Sequence, residues 1–162
     1  MNRWDQRPRE LRTLLNPAFC GLLIARAVIS YEERSAKPMP YSLVLLVLPI
    51  SLHPATRAIF KSKPRAFLTT ILSENPEIQI GLAERAKGLM PYSMEALSYL
   101  SERNMIRVSG QGGISIDASQ VMKSIKGTED TKSCQTIAKV LGKKLAETGD
   151  RATVYTSLGI RP

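Results

Sequence analysis

Residues 88–117, GLMPYSMEALSYLSERNMIRVSGQGGISID, run through two hydrophobic periodicities in succession. Pro91 supplies a preset φ at a helix start, where a missing N–H is harmless. Met94, Leu97 and Leu100 then recur at helical spacing, with Ala96 and Tyr99 widening the apolar face. Met105–Val108 is short, apolar and suited to a strand, and the glycines from Gly110 to Gly113 can turn the chain into a second strand, Ile114–Ile116. With another helix expected over Pro76–Leu89, the order helix, turn, helix, hairpin outlines a winged helix-turn-helix. That fold is a binding module, used for nucleic acid and for protein docking alike, so it does not settle function.

Upstream, Asn16-Pro17 predicts a helix start, with Asn as cap and Pro in the first helical position. From Phe19 through Leu22, Leu23, Ile24, Ala27, Val28 and Ile29 the helix is apolar almost all round, which places it in a core or against a partner. It should end near Ser35, before the Lys37–Pro40 break. Tyr41–Leu52 reads as a buried helix ended or kinked around Pro49. Pro54–Phe60 reads as a short helix with Ala55, Ala58 and Ile59 inward, followed by a basic loop and a helix over Ala66–Leu72. Downstream, Ala118–Ile125 is expected to be a short helix. Asp130 or Thr131 should cap a helix over Lys132–Glu147, with Cys134, Ile137, Ala138, Leu141 and Leu145 on one stripe and Lys139, Lys143 and Lys144 on the wet side. Gly142 within it permits close helix packing, and Gly149 ends it. Thr153–Leu158 is a last short helix.

The expected class is therefore mainly α with a small β-hairpin: a winged helix-turn-helix core with helical N- and C-terminal extensions. The divisions are 1–75, 76–129 and 130–162, the last packing on the same domain.

Net charge is +9 over 162 residues, which favours a polyanion or an acidic protein as partner. Residues 1–75 carry 11 Lys/Arg against 5 Asp/Glu, residues 76–129 carry 6 of each, and residues 130–162 carry 6 against 3. The segment expected to be the winged helix is thus neutral, and Glu95 and Glu102 on its second helix make a poor base-reading face. Protein docking is the better use for it. Arg3, Arg7, Arg9 and Arg12 surround Trp4, and Arg57, Lys61, Lys63 and Arg65 flank Phe60. Together with Lys139, Lys143 and Lys144 these are the candidate contacts to nucleic acid or to an acidic partner, and phosphate and acidic protein stand as alternatives. The candidate partner interface is Phe19, Leu22, Leu23, Tyr92, Glu95 and Tyr99.

Cys20 and Cys134, each among apolar neighbours, form neither a disulfide framework nor a metal motif and read as buried free thiols. No cofactor is expected. MNRWDQRPREL has no signal-peptide core, and the apolar run Leu43–Ile50 is too short to span a bilayer. A soluble, cytoplasmic protein is expected. The single histidine, His53, is read as satisfying backbone at a helix junction rather than as a base or ligand. Gly110–Gly113 lacks the Lys-Ser/Thr of a phosphate-binding loop. The inventory predicts no enzyme.

Several segments recur in one order: Leu14–Cys20 as LLNPAFC, Leu46–His53 as LVLPISLH with Thr56-Arg57 close behind, the segment expected to be the winged helix, and Ser157–Pro162 as SLGIRP. This arrangement resembles the middle component, type-three class, of bacterial three-component ABC systems, and is similar in layout to the small subunit of Lamassu-type SMC defence complexes. The resemblance runs from about Leu11 onward. It implies a non-catalytic adaptor beside an SMC/Rad50-like ABC ATPase, coupling DNA sensing to an effector, often a nuclease, in defence against phage and plasmids. DNA would be met through the complex. The motif positions carried over are Asn16, Pro17, Phe19, Leu48, Pro49 and His53, and caps, kinks and apolar faces account for them. The alternative is a free-standing winged-helix DNA-binding regulator.

Overall fold

The computed structural model describes residues 6–160, so Arg3, Trp4, Arg161 and Pro162 fall outside the described residues. After α1 (Arg9–Leu14), α2 (Pro17–Ser35) begins where Asn16 accepts from the Ala18 N–H at 2.8 Å, with Pro17 in the first helical position. It ends at Ser35, as the Lys37–Pro40 break predicts, and Ala36 turns left-handed with φ 54°. Nearly every residue from Cys20 to Tyr31 is buried. The cover comes from α4 (Val47–Ser51), α7 (Leu82–Glu102) and α8 (Glu129–Thr148). Fully burying a side chain such as Leu23 or Ile24 contributes about 1.5–3 kcal/mol. By length and composition the stretch Arg9–Ser35 could cross a membrane; in this fold it supplies the central helix of the core.

Gly142 sets the distance between α2 and α8. A Cβ built there would stand 2.0 Å from the Ala27 carbonyl oxygen, so the backbones meet only because the side chain is missing.

The expected turn before Pro91 does not exist. Leu82–Glu102 is one helix with Pro91 inside it, and Pro76–Gln79 is a 3-10 turn. The helix predicted over Pro76–Leu89 and the one predicted from Pro91 are a single element, so these residues form no helix-turn-helix. The reason is where the proline faces. At 3.6 residues per turn Pro91 lies opposite the buried stripe of Leu82, Ser93, Ala96 and Leu100, and it is exposed. Its missing N–H and its ring act on the convex, wet side, where water can serve the freed carbonyl. Packing of the inner side on α2 and α4 then overrides the local stop signal. The stripe is also rotated from the expected one: Met94 is 46% exposed and Leu97 half-buried, while Ser93 is fully buried.

The hairpin forms as read. β2 (Ile106–Val108) pairs antiparallel with β3 (Gly113–Ile116), Ile106 opposite Ile116 and Val108 opposite Ile114. A third strand, β1 (Met39–Pro40), pairs with the other edge of β3, Met39 opposite Ile114. The break at Lys37–Pro40 is thus also an edge strand, a position that tolerates proline's missing donor.

Tyr41–Leu52 is helical, but it divides at Leu45–Leu46 into α3 (Tyr41–Val44) and α4. Pro49 sits in the first turn of α4, where its N–H is not required. In α5 (Pro54–Ser62) the fully buried residues are Thr56, Arg57 and Phe60; Ile59 packs half-buried against the core as expected, whereas Ala55 and Ala58 are exposed. α6 spans Leu68–Glu74. The helix expected at Ala118–Ile125 is only a 3-10 turn, Ala118–Gln120. Thr128, rather than Asp130 or Thr131, caps α8, accepting from the Thr131 N–H at 3.3 Å. α9 (Arg151–Ser157) starts at Asp150, whose carboxylate accepts from the Thr153 N–H at 3.0 Å. The buried residues of all these elements form one hydrophobic cluster.

Candidate partner interface

The residues expected to meet a partner divide into four groups. Leu23 is fully buried and belongs to the core. Leu22 and Tyr99 line a common groove of about 280 Å³ between α2 and the end of α7. Arg103 stacks over the Tyr99 ring, its guanidinium carbon 3.5 Å from the centroid. Phe19 is half-buried. Glu95 accepts a two-pronged bond from Arg7, at 2.7 and 2.8 Å, and the same guanidinium lies 5.5 Å from the Tyr92 ring centre. The Glu95 bond holds the Arg7 pKa above its ordinary value. Tyr92 and Glu95 therefore anchor the N-terminal segment to α7.

The basic candidates separate by burial. Arg57 is buried, donates to the carbonyls of Ser51 and Leu52 at 3.2 and 2.8 Å, and pairs with Asp130. Lys144, expected on the wet side of α8, is 3% exposed and donates to the carbonyls of Pro64 and Ala66. Burial lowers its pKa. Both side chains hold loops in place from within. Lys63 pairs with Glu74 at the surface, and Arg12 is half-buried. Arg9, Lys61, Arg65, Lys139 and Lys143 are exposed. Lys144 was findable: it stands three residues after Leu141, on the inner stripe of α8. Arg57 likewise stands three before Phe60.

Sequence periodicity did not reveal a second apolar face on α7. Ala83, Ala86 and Met90 form one wall of a groove of about 560 Å³, with Tyr41, Leu45 and Leu46 opposite and Tyr155 and Ile160 at its end. Met90 is 45% exposed. The Tyr41 hydroxyl donates to Met94 Sδ at 2.8 Å, and the Tyr155 hydroxyl donates to the Ser42 carbonyl at 2.7 Å. The signal was the i, i+4 pair Met90 and Met94, which lies beside the buried stripe rather than on it.

His53 caps α5. Its Nδ1 accepts from the Thr56 N–H at 3.3 Å and contacts the Thr56 hydroxyl at 2.8 Å. A backbone N–H can only donate, so Nδ1 carries the lone pair and the ring proton sits on Nε2. Burial, then the charges of Arg85 and Arg57, lower the His53 pKa. Cys20 is buried and its thiol is pushed up to about 12, mainly by burial; burial raises the Cys134 thiol too. Neither thiol forms a thiolate readily at neutral pH.

A family model described as the ABC-three component system Middle Component 3 matches residues 4–162. The chain belongs to that family. No curated protein and no solved structure matches it. In this Middle Component 3 protein the recurrent positions do structural work that the geometry now specifies. Asn16 and Pro17 start α2, Leu48 and Pro49 are buried in α4, and His53 starts α5. Membership in a multi-component ABC system implies partner subunits within an ABC complex.

Proposed function

We propose that this Middle Component 3 protein is a non-catalytic, cytoplasmic adaptor. It docks on an SMC/Rad50-like ABC ATPase and couples that ATPase to an effector, in defence against phage and plasmids. The observation that carries the reading is the family match over nearly the whole chain. The open groove between α3 and α7 supports it: a mostly apolar surface with the flexible Met90 side chain in its wall can adapt to a docking element. The reading of a free-standing regulator loses its main support, because the helix meant for the groove of DNA is continuous with the one meant to position it.

The test is a tagged pull-down of the chain expressed with its native gene neighbours. A stoichiometric complex with a coiled-coil ATPase is expected. A protein that stays alone and shifts duplex DNA with a steep salt dependence would replace the adaptor reading with the regulator.

A further inference from the structure

Arg26 lies in the middle of α2, 7% exposed. Arg7 and Arg57 face Glu95 and Asp130, but no carboxylate among the described residues pairs with Arg26. Its Nε donates to Gln135 Oε1 at 3.1 Å, and its Nη2 donates to the carbonyls of Met122 and Ser124 at 3.0 and 2.9 Å. These bonds pin the loop that follows the Ala118–Gln120 turn onto α2. They use three of the five N–H donors of a guanidinium. Both donors on Nη1 are left without a partner among the described residues, and Nη1 is not sealed from solvent. Arg26 lines an open pocket of about 310 Å³.

The surroundings of that free nitrogen favour one kind of ligand. Burial takes the Arg26 charge out of water and lowers its pKa. A recessed cation without a counter-charge is stabilised by an anion that reaches it. Lys123 and Lys139, both exposed, line the same pocket, and Glu33 is the single acid among its lining residues. Glu33 is exposed, so water screens it, and the pocket stays net positive. Ile29, Val121 and Met122 supply apolar wall. A phosphodiester is held within its polymer backbone and meets projecting lysines and arginines on open surfaces. A carboxylate on a side-chain stem can enter a recess, present two oxygens to one guanidinium edge, and lay its methylenes on apolar walls.

We propose that this pocket receives an Asp or Glu side chain of a partner subunit, Arg26 Nη1 donating to the carboxylate and Lys123 and Lys139 flanking it. The assignment rests on the adaptor reading and specifies its contact chemistry.

The test uses the complex of the full chain with the ABC ATPase expected as its partner, the two expressed together. A carbodiimide joins a lysine amine directly to a carboxylate with loss of water, so it reports lysine–acid neighbours. Cross-links from Lys123 or Lys139 to an acidic residue of the ATPase are expected. Neither lysine makes a hydrogen bond or ion pair among the described residues, so the Lys123→Glu/Lys139→Glu double variant keeps the fold. It should bind the ATPase about tenfold more weakly or worse. Lys37→Glu/Arg107→Glu, an equal charge change at exposed positions outside the pocket, should bind as the wild type does. The Arg26 guanidinium nitrogen signals, followed by NMR, should shift on complex formation.

Unchanged association of the pocket variant, an equal loss for the control variant, or unshifted Arg26 signals would each overturn the proposal. So would a parallel loss of binding to a short DNA duplex, which would assign the pocket to phosphate. Absence of any complex with the wild-type chain is a separate result, which removes the adaptor reading and this contact with it.

Discussion

α2 and α7 are two of the three long helices and pack on each other, yet they meet opposite fates. α2 is enclosed on nearly all sides, whereas α7 buries only Leu82, Ser93, Ala96 and Leu100 and turns Met90 and Met94 outward. α2 can be wrapped because Gly142 admits α8 to its backbone. α7 stays open on one flank, where α3 and the chain near Ile160 stand off to leave the groove. The lesson is a division of labour within one core. A helix apolar all round is scaffold; a helix with one buried stripe and a second apolar flank has surface left for a partner.

The hardest blow to this contrast is Gly142→Ala. It drives a methyl into the Ala27 carbonyl, and unfolding measured by denaturant should show a loss of about 3 kcal/mol or more. Unchanged stability would mean that α8 does not approach α2 so closely. Next in size is Pro91→Ala. In a continuous, solvent-facing helix interior it should stabilise the protein by about 2–3 kcal/mol. A neutral or destabilising result would instead place Pro91 at a helix start and restore the turn.

Ser93→Ala sharpens the inner side of α7. Ser93 Oγ is buried without a hydrogen-bond partner among the described residues, so removing it should raise stability by about 1 kcal/mol. Destabilisation would point to a hydroxyl bond at that position. The smallest effect is pH dependence at His53, beside Arg85 of α7. Its folded pKa lies below the ordinary 6.5, so its contribution is complete above pH 6.5 and is lost as pH falls through the lowered folded value. Melting curves should show this decline, and His53→Asn, a cap that does not titrate, should abolish it. In an NMR titration, Arg85→Gln should raise the His53 pKa by removing a nearby positive charge.

What could be read from sequence was whatever the chain encodes locally. The Asn16-Pro17 start, the stop near Ser35, the glycine hairpin and the inner stripe of α8 rest on caps, turns and periodicity within a few residues. What could not be read depends on partners far along the chain. Pro91 says "start" in isolation, and only the packing of its helix on α2 makes it an interior residue. β1 exists because β3 lies beside it, and Arg7 finds Glu95 across 88 positions. Arg57 and Lys144 look like surface charges because charge dominates the reading, yet their long stems allow the heads to reach buried carbonyls. Of the candidate site, apolar patterning put Leu22 and Tyr99 on apolar helix faces, and their meeting in one groove depends on how α2 packs against α7. The groove at Met90 was hidden because the stripe was drawn through Met94.

The enclosure of α2 also has a consequence in time. Its principal covers, α7 and α8, lie more than 45 and more than 90 residues beyond its end. At the usual pace of about 5–20 residues per second, a ribosome would leave this membrane-like helix without its full cover for roughly 5–25 seconds, until α8 is made. Throughout that interval the apolar face that α8 will cover stays open to any protein that shelters greasy segments.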